Sequence, residues 1–161
     1  MSIFAADPIF SNAKVYQQIA VEALARARSS LAEHRRPRED GSPGHVLTGD
    51  LERASFKNSM IAMVFAGMTM EAQLWLHGCE RLGTVQYKPI DAQALELRLA
   101  PLGIHDGTMA GDMRAFRLAR KALVHEKAVT LSQDESPVLV AQHEAEKAVA
   151  LMSRLISALE S

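Results

Sequence analysis

A permanent cation and a group that titrates near neutrality stand five residues apart in Arg120-Lys121-Ala122-Leu123-Val124-His125. An arginine keeps its proton at any ordinary pH and presents a planar fork of N–H donors suited to oxyanions. A histidine can give or take a proton close to pH 7. The surrounding stretch 112–127, DMRAFRLARKALVHEK, reads as a helix when advanced by roughly 100° per residue. Met113, Phe116, Leu123 and Val124 then fall on one side, and Arg114, Arg117, Lys121 and His125 on another. Arg120 does not join the other basic residues. It lands among the apolar ones, on the side expected to face the core. A core-facing guanidinium needs a carboxylate or a ring of carbonyls, because an orphaned partner of a buried pair costs about 3–5 kcal/mol. The sequence therefore predicts a counter-charge for Arg120 elsewhere in the chain.

The candidate is Glu71. A long helix is expected over 51–81, and its middle, SMIAMVFAGMTMEAQLWL, is apolar on nearly every face. Glu71 carries the charge in that run and aligns with Met60, Val64, Met68 and Trp75, while Ser59, Thr69, Gln73, His77 and Glu80 lie opposite. Two charges of opposite sign on apolar faces predict a contact between Glu71 and Arg120. The run is read as the centre of a helical protein and not as a membrane span, which needs about 20 uninterrupted apolar residues.

These two helices need others to position them. A first helix is expected over 7–33, started by Asp7-Pro8, with Val15, Ile19, Leu24 and Leu31 as a broken apolar stripe among many alanines. Residues 35–50 read as a flexible basic loop, because Pro37, Gly41, Pro43, Gly44 and Gly49 forbid a continuous helix. Its opening, HRRPR, is a candidate phosphate-binding loop as well as a solvated linker. After a connection over 83–89, a shorter helix is expected over 91–102 with Asp91 as its N-cap. Gly103 ends it. The central helix is expected over 108–129, a turn over 132–137, and a last helix over 138–159. Alternating β-branched runs are nearly absent, so the chain reads as all-α: an antiparallel bundle of four to five helices forming one domain over 1–161.

Composition sets further bounds. A chain of 161 residues suits one domain with a real core. The net charge of −1 gives no global field toward nucleic acid or membrane, so any RNA contact would use a local basic patch. The one cysteine, Cys79, allows neither an internal disulfide nor a zinc–cysteine cluster, and at the end of an apolar helix it reads as packing. None of the six histidines follows an acid by three residues, as helical di-metal sites require. No His-Glu-x-x-His and no Gly-x-x-x-x-Gly-Lys is present. Metal sites and cofactors are not expected. The N-terminus lacks the pattern of a signal peptide, and a cytoplasmic location is the default reading.

Arg120, Val124 and His125 match the Arg-x4-6-His motif of the HEPN superfamily (higher eukaryotes and prokaryotes nucleotide-binding domains). The segment LELRLAPLGIHDGTMAGDMRAFRLARKALVHEK resembles the back half of such a domain, in which a helix and a Leu-Gly loop precede the motif helix. An upstream apolar helix with one acidic residue, here Glu71, is similar too. The likeness covers about two thirds of the chain. One departure is Lys121, at a position where the family usually carries a small polar residue.

The resemblance implies a metal-independent endoribonuclease of toxin or defence type, in which a ribose 2′-OH attacks the adjacent phosphate. It implies a catalytic set of Arg120, His125 and Glu71: His125 as general base or acid, Arg120 on the phosphate, Glu71 orienting Arg120. Arg117 and Lys121 would add phosphate contacts; as bland alternatives, Arg114 and Arg117 form a solvated face, and Arg120–Glu71 is a structural pair. Five residues span about 500° of helix, so Arg120 and His125 point about 140° apart on a straight helix. A bend or end near His125 would resolve this, as would a site shared by two chains. HEPN domains pair in this way, so a homodimer through the Arg120–His125 helix is expected, with a cognate antitoxin or operon-encoded protein as a further candidate partner. The competing reading is a catalytically inactive module of the same ancestry, serving interaction, regulation or nucleotide binding.

Overall fold

The computed structural model describes residues 11–42, 45–47, 53–124 and 137–161. His125, the expected start at Asp7-Pro8 and the expected turn over 132–137, apart from Pro137, lie outside them. The described chain is helical almost throughout. It runs α1 (Ala13–Glu33), β1 (Arg35–Pro37), β2 (His45–Leu47), α2 (Ala54–Leu82), α3 (Thr84–Asp91), two 3-10 turns (Leu95–Arg98 and Ala100–Leu102), α4 (Gly107–Val124) and α5 (Pro137–Glu160).

The packing of α1 on α2 is built from small side chains. Ala20, Ala23, Leu24, Ala27 and Leu31 are buried on α1, whereas Val15 of the expected stripe is 54 % exposed. The buried face of α2 includes Ser55, Ser59, Ala62, Met63, Ala66, Thr69, Met70 and Leu74. This corrects the expected orientation of α2: Ser59 and Thr69 point into the core, and Met60, Val64, Met68 and Trp75 are only partly covered. The physical reason is that a helical serine or threonine can satisfy its own hydroxyl. Ser59 Oγ donates to the carbonyl of Ser55 at 2.8 Å, and Thr69 Oγ1 to that of Phe65 at 2.8 Å. Such residues then behave as small packing groups. The burial of Met63, Met70 and Leu74 stabilises the fold by about 1.5–3 kcal/mol each. By length and composition α2 is apolar enough to cross a membrane, and it packs against α1 and α5.

On α5, Ala141, Ala145, Ala148, Leu151, Met152, Leu155 and Leu159 form the buried stripe. Arg28 Nε donates to Glu146 Oε1 at 2.9 Å, tying α1 to α5. Arg81 closes the far end: its guanidinium donates to the carbonyls of Leu102 at 2.7 Å and Leu159 at 2.6 Å, which satisfies the ends of two helical segments with one cation.

Three segments depart from expectation. The 35–50 stretch holds a two-stranded antiparallel ribbon, Arg35 opposite Leu47 and Pro37 opposite His45. Its turn is set by Asp40, whose Oδ1 accepts from the Ser42 amide at 3.0 Å, and by Gly41 at φ +71°. The expected 83–89 connection is helical. Tyr87 draws it in by lying flat on Gly78, where a Cβ would stand only 2.3–2.4 Å from the ring atoms. The expected helix over 91–102 is two 3-10 turns. The break comes at Ala94, which is extended at ψ 146° just before the first 3-10 turn; Pro101, with no N–H to donate, sits inside the second. Asp91 does not cap a helix there; it ends α3.

Candidate functional site

The site grows from α4. Asp106 starts this helix, its Oδ1 accepting from the amides of Thr108 at 2.9 Å and Met109 at 3.1 Å. Met113 and Phe116 then bury the inner face at 0 % and 6 % exposure. Arg120 follows Phe116 by one helical turn and reaches back across α2. Its Nη1 donates to Glu71 Oε1 at 3.1 Å.

The contact is the predicted one; its setting is not. The Arg120 side chain is 31 % exposed and that of Glu71 48 %. The pair therefore lies at the margin of the core, and the expectation of two core-placed charges is corrected. A helical wheel gives a direction but not the amount of protein above it. A half-exposed pair is worth about 0–1 kcal/mol, far less than a buried one.

What brings the guanidinium close is Gly67. A Cβ at that position would lie 2.8 Å from Arg120 Nη1 and 3.1 Å from Phe116 Cζ. An interior helical glycine costs about 1 kcal/mol relative to alanine, and here the missing side chain is the space Arg120 occupies.

Arg120 is one wall of a cavity of about 140 Å³ lined by Glu71, Gln93, Ala94, Leu95, Arg98, Phe116, Arg117 and Arg120. The other two arginines are each fixed by a carboxylate. Arg98 donates through Nη1 to Asp91 at 2.6 Å and through Nε to the Gln93 carbonyl at 3.0 Å. Arg117 grips Glu96 with two hydrogen bonds, at 2.8 and 3.2 Å. The hydrogen bond from Arg117 holds the Glu96 carboxyl below the usual glutamate range, against the opposing effect of its burial. The Arg117 guanidinium is raised in return, chiefly by the same bond.

The structure thus brings together Arg120, Glu71 and Arg117 of the sequence-predicted residues. Lys121 is exposed on α4, and His125 lies outside the described residues. Arg98, Glu96 and Gln93 were not foreseen as site residues, and Asp91 was expected only as an N-cap. Gly67 gave a signal, a lone glycine in the middle of a long apolar helix. The basic ribbon forms a separate feature: Arg36 and Arg38 line a cavity of about 650 Å³ with Pro37, Glu39, Asp40 and Val46. A groove of about 300 Å³ between α4 and α5 has an apolar floor of Phe116, Ala148 and Leu151. Its rim charges pair with each other, Arg154 with Asp112 at 2.6 Å and Lys147 with Glu144 at 2.8 Å, so it offers little to a polar ligand. Among the described residues no cluster of three or more His, Cys, Asp or Glu side chains is arranged to hold a metal ion.

Comparison with known proteins gives no matching family model, no matching curated protein and no matching solved structure.

Proposed function

We propose that this chain is a HEPN-like antiparallel helical bundle that cleaves RNA without a metal ion, as a toxin or defence endoribonuclease of the cytoplasm. The observation that carries this reading is the meeting of Arg120 with Glu71 on the wall of an arginine-lined cavity, five residues before His125. A ribose 2′-oxygen attacks the neighbouring phosphorus and the bond from phosphorus to the 5′-oxygen breaks. The products are a 2′,3′-cyclic phosphate and a 5′-hydroxyl. His125 takes the 2′-OH proton or supplies one to the leaving oxygen. Arg120 holds the phosphate and offsets the charge that builds in the transition state. Glu71 is a positioning residue that holds Arg120 over Gly67 until the phosphate arrives. Arg117 and the exposed Lys121 add phosphate contacts.

The roughly 140° between Arg120 and His125 on a straight helix supports a homodimer through this helix, so that one chain's arginine works beside its partner's histidine. Leu118, 52 % exposed two residues before Arg120, is a fitting interface residue. A cognate antitoxin or operon-encoded protein would cover the same face.

The second reading, an inactive module of the same ancestry, draws on the carboxylates: Asp91, Glu96 and Glu71 already engage all three cavity arginines. The test is incubation of total cellular RNA and a tRNA pool with the protein in EDTA, beside Arg120→Ala and His125→Ala. Cleavage by the wild type, lost in both folded variants, supports the ribonuclease. A folded wild type that cuts neither substrate gives the module reading its place.

A further inference from the structure

We propose that the cavity walled by Arg98, Arg117 and Arg120 is a phosphate-group site in which Glu71 is an occluding counter-ion that the ligand displaces. The inference deepens the ribonuclease reading and rests on its placement of Arg120 at the phosphate.

Size comes first. The cavity is about 140 Å³, several times the ~30 Å³ that one water occupies in the liquid. That admits a tetrahedral oxyanion with some of its hydration and leaves no room for a base and sugar. Leu95 and Phe116, both 6 % exposed, form apolar wall, which raises the strength of any charge contact made inside.

Next comes what is fixed and what can move. Arg98 and Arg117 each spend two hydrogen bonds on anchoring. Both guanidinium groups are thereby held in place, and a ligand meets only the N–H groups left over once Asp91, the Gln93 carbonyl and Glu96 are served. Glu96, at 13 % side-chain exposure and held ionised by Arg117, anchors that arginine without lining the cavity. The Arg120–Glu71 pair is different. It rests on a single 3.1 Å bond, and Glu71 is the most exposed of the three acids at 48 %, against 35 % for Asp91.

Charge decides the outcome. Three arginines against Asp91, Glu96 and Glu71 sum to zero, and a neutral cluster does not extract a dianion from water. If Glu71 swings into solvent, the cluster becomes cationic by one charge, and Arg120 turns its fork to the ligand. Binding and release of Glu71 are one event.

The experiment is calorimetric titration at low ionic strength with inorganic phosphate, with a nucleoside 3′-monophosphate and with the uncharged nucleoside. Three proteins are used: wild type, Glu71→Gln, and the double variant Arg117→Gln/Glu96→Gln, which removes both partners and so leaves no orphaned charge. Expected are saturable binding of both phosphates and none of the nucleoside. Affinity should rise about tenfold in Glu71→Gln, the equivalent of one charge-assisted contact no longer competed for, and fall about tenfold or more in the double variant. Either of two results overturns the proposal: no saturable phosphate binding to wild type or Glu71→Gln, or equal affinity in all three proteins. Nucleoside binding as tight as that of its phosphate overturns it too. RNA cleavage is not a readout here. A protein that binds phosphate as described but cuts no RNA retains this site and loses the ribonuclease. One that cuts RNA but shows the equal affinities retains the ribonuclease and loses this site.

Discussion

Replacing Gly67 with alanine should separate the site from the fold. The added Cβ would sit 2.8 Å from Arg120 Nη1, 3.2 Å from its Cζ and 3.1 Å from Phe116 Cζ. The first two atoms end a flexible side chain and will move. The Phe116 ring is buried and must give by a few tenths of an ångström. Three contributions to stability then compete. Alanine in a helix interior gains about 1 kcal/mol over glycine. Loss of the half-exposed Arg120–Glu71 contact costs about 0–1 kcal/mol. Crowding Phe116 costs about 1–2 kcal/mol, at the lower end for overpacking. The net change is about 2 kcal/mol at most, and for a chain of 161 residues that lowers the melting temperature by about 4–8 °C at the upper bound. Arg120, however, is driven off its place. The assay pairs a thermal melt with phosphate titration and RNA cleavage. The expected result is a near-native melt with phosphate affinity about tenfold weaker and cleavage reduced at least as much. Wild-type binding and cleavage in a variant that melts normally would refute the claim that Arg120 works from its position over Gly67.

Further expectations concern stability. Gly78→Ala should be far more damaging than Gly67→Ala, by about 3 kcal/mol or more, because its Cβ would meet the Tyr87 ring at 2.3–2.4 Å in a fully buried place; urea denaturation measures it, and a loss under 1 kcal/mol would count against the close packing of α3 on α2. Tyr87→Phe should be neutral or stabilising by about 1 kcal/mol, since the Tyr87 hydroxyl is buried with no hydrogen-bond partner among the described residues. Burial pushes that hydroxyl up to about 12. The folded value exceeds the unfolded one, so stability is full below the unfolded value and falls as pH rises toward the folded one; Tyr87→Phe should flatten this alkaline limb. Glu96 has the opposite sign. Its carboxyl is held down by Arg117, so its contribution is present above the ordinary glutamate range and is lost as pH falls through the lower folded value. Glu96→Gln should make acid unfolding less steep, as seen in midpoints taken across acidic pH. Arg120→Ala should fold, losing about 1 kcal/mol, because Glu71 can hydrate when left alone; a loss of 3 kcal/mol or more in the same denaturation would mean a buried pair.

The helical nature of the chain and the Arg120–Glu71 contact were legible because both depend on periodicity. A charge on an apolar face asks for its opposite, and each helix offered one such residue. Depth was not legible. Glu71 shares its face with Met60, Val64 and Met68, yet that face is the outer one. The inner face carries Ser59 and Thr69, whose hydroxyls are consumed locally and leave no polar signature in packing. The cavity was hidden for a different reason. The segment that carries Gln93, Glu96 and Arg98 turns at Ala94, extended at ψ 146°, where periodicity alone would wind one helix. The role of Gly67 lies in a tertiary approach that spacing within one helix does not encode.

The central claim is that the Arg120–His125 helix cuts RNA by internal attack of a 2′-OH. It is tested most directly by the ends of the fragments. The purified protein is incubated in EDTA with a tRNA pool and the new termini are read chemically. The account predicts 2′,3′-cyclic phosphate and 5′-hydroxyl ends, produced by wild type and by neither Arg120→Ala nor His125→Ala. Fragments with 5′-phosphate and 3′-hydroxyl ends, or an intact pool after incubation with folded protein, would contradict it.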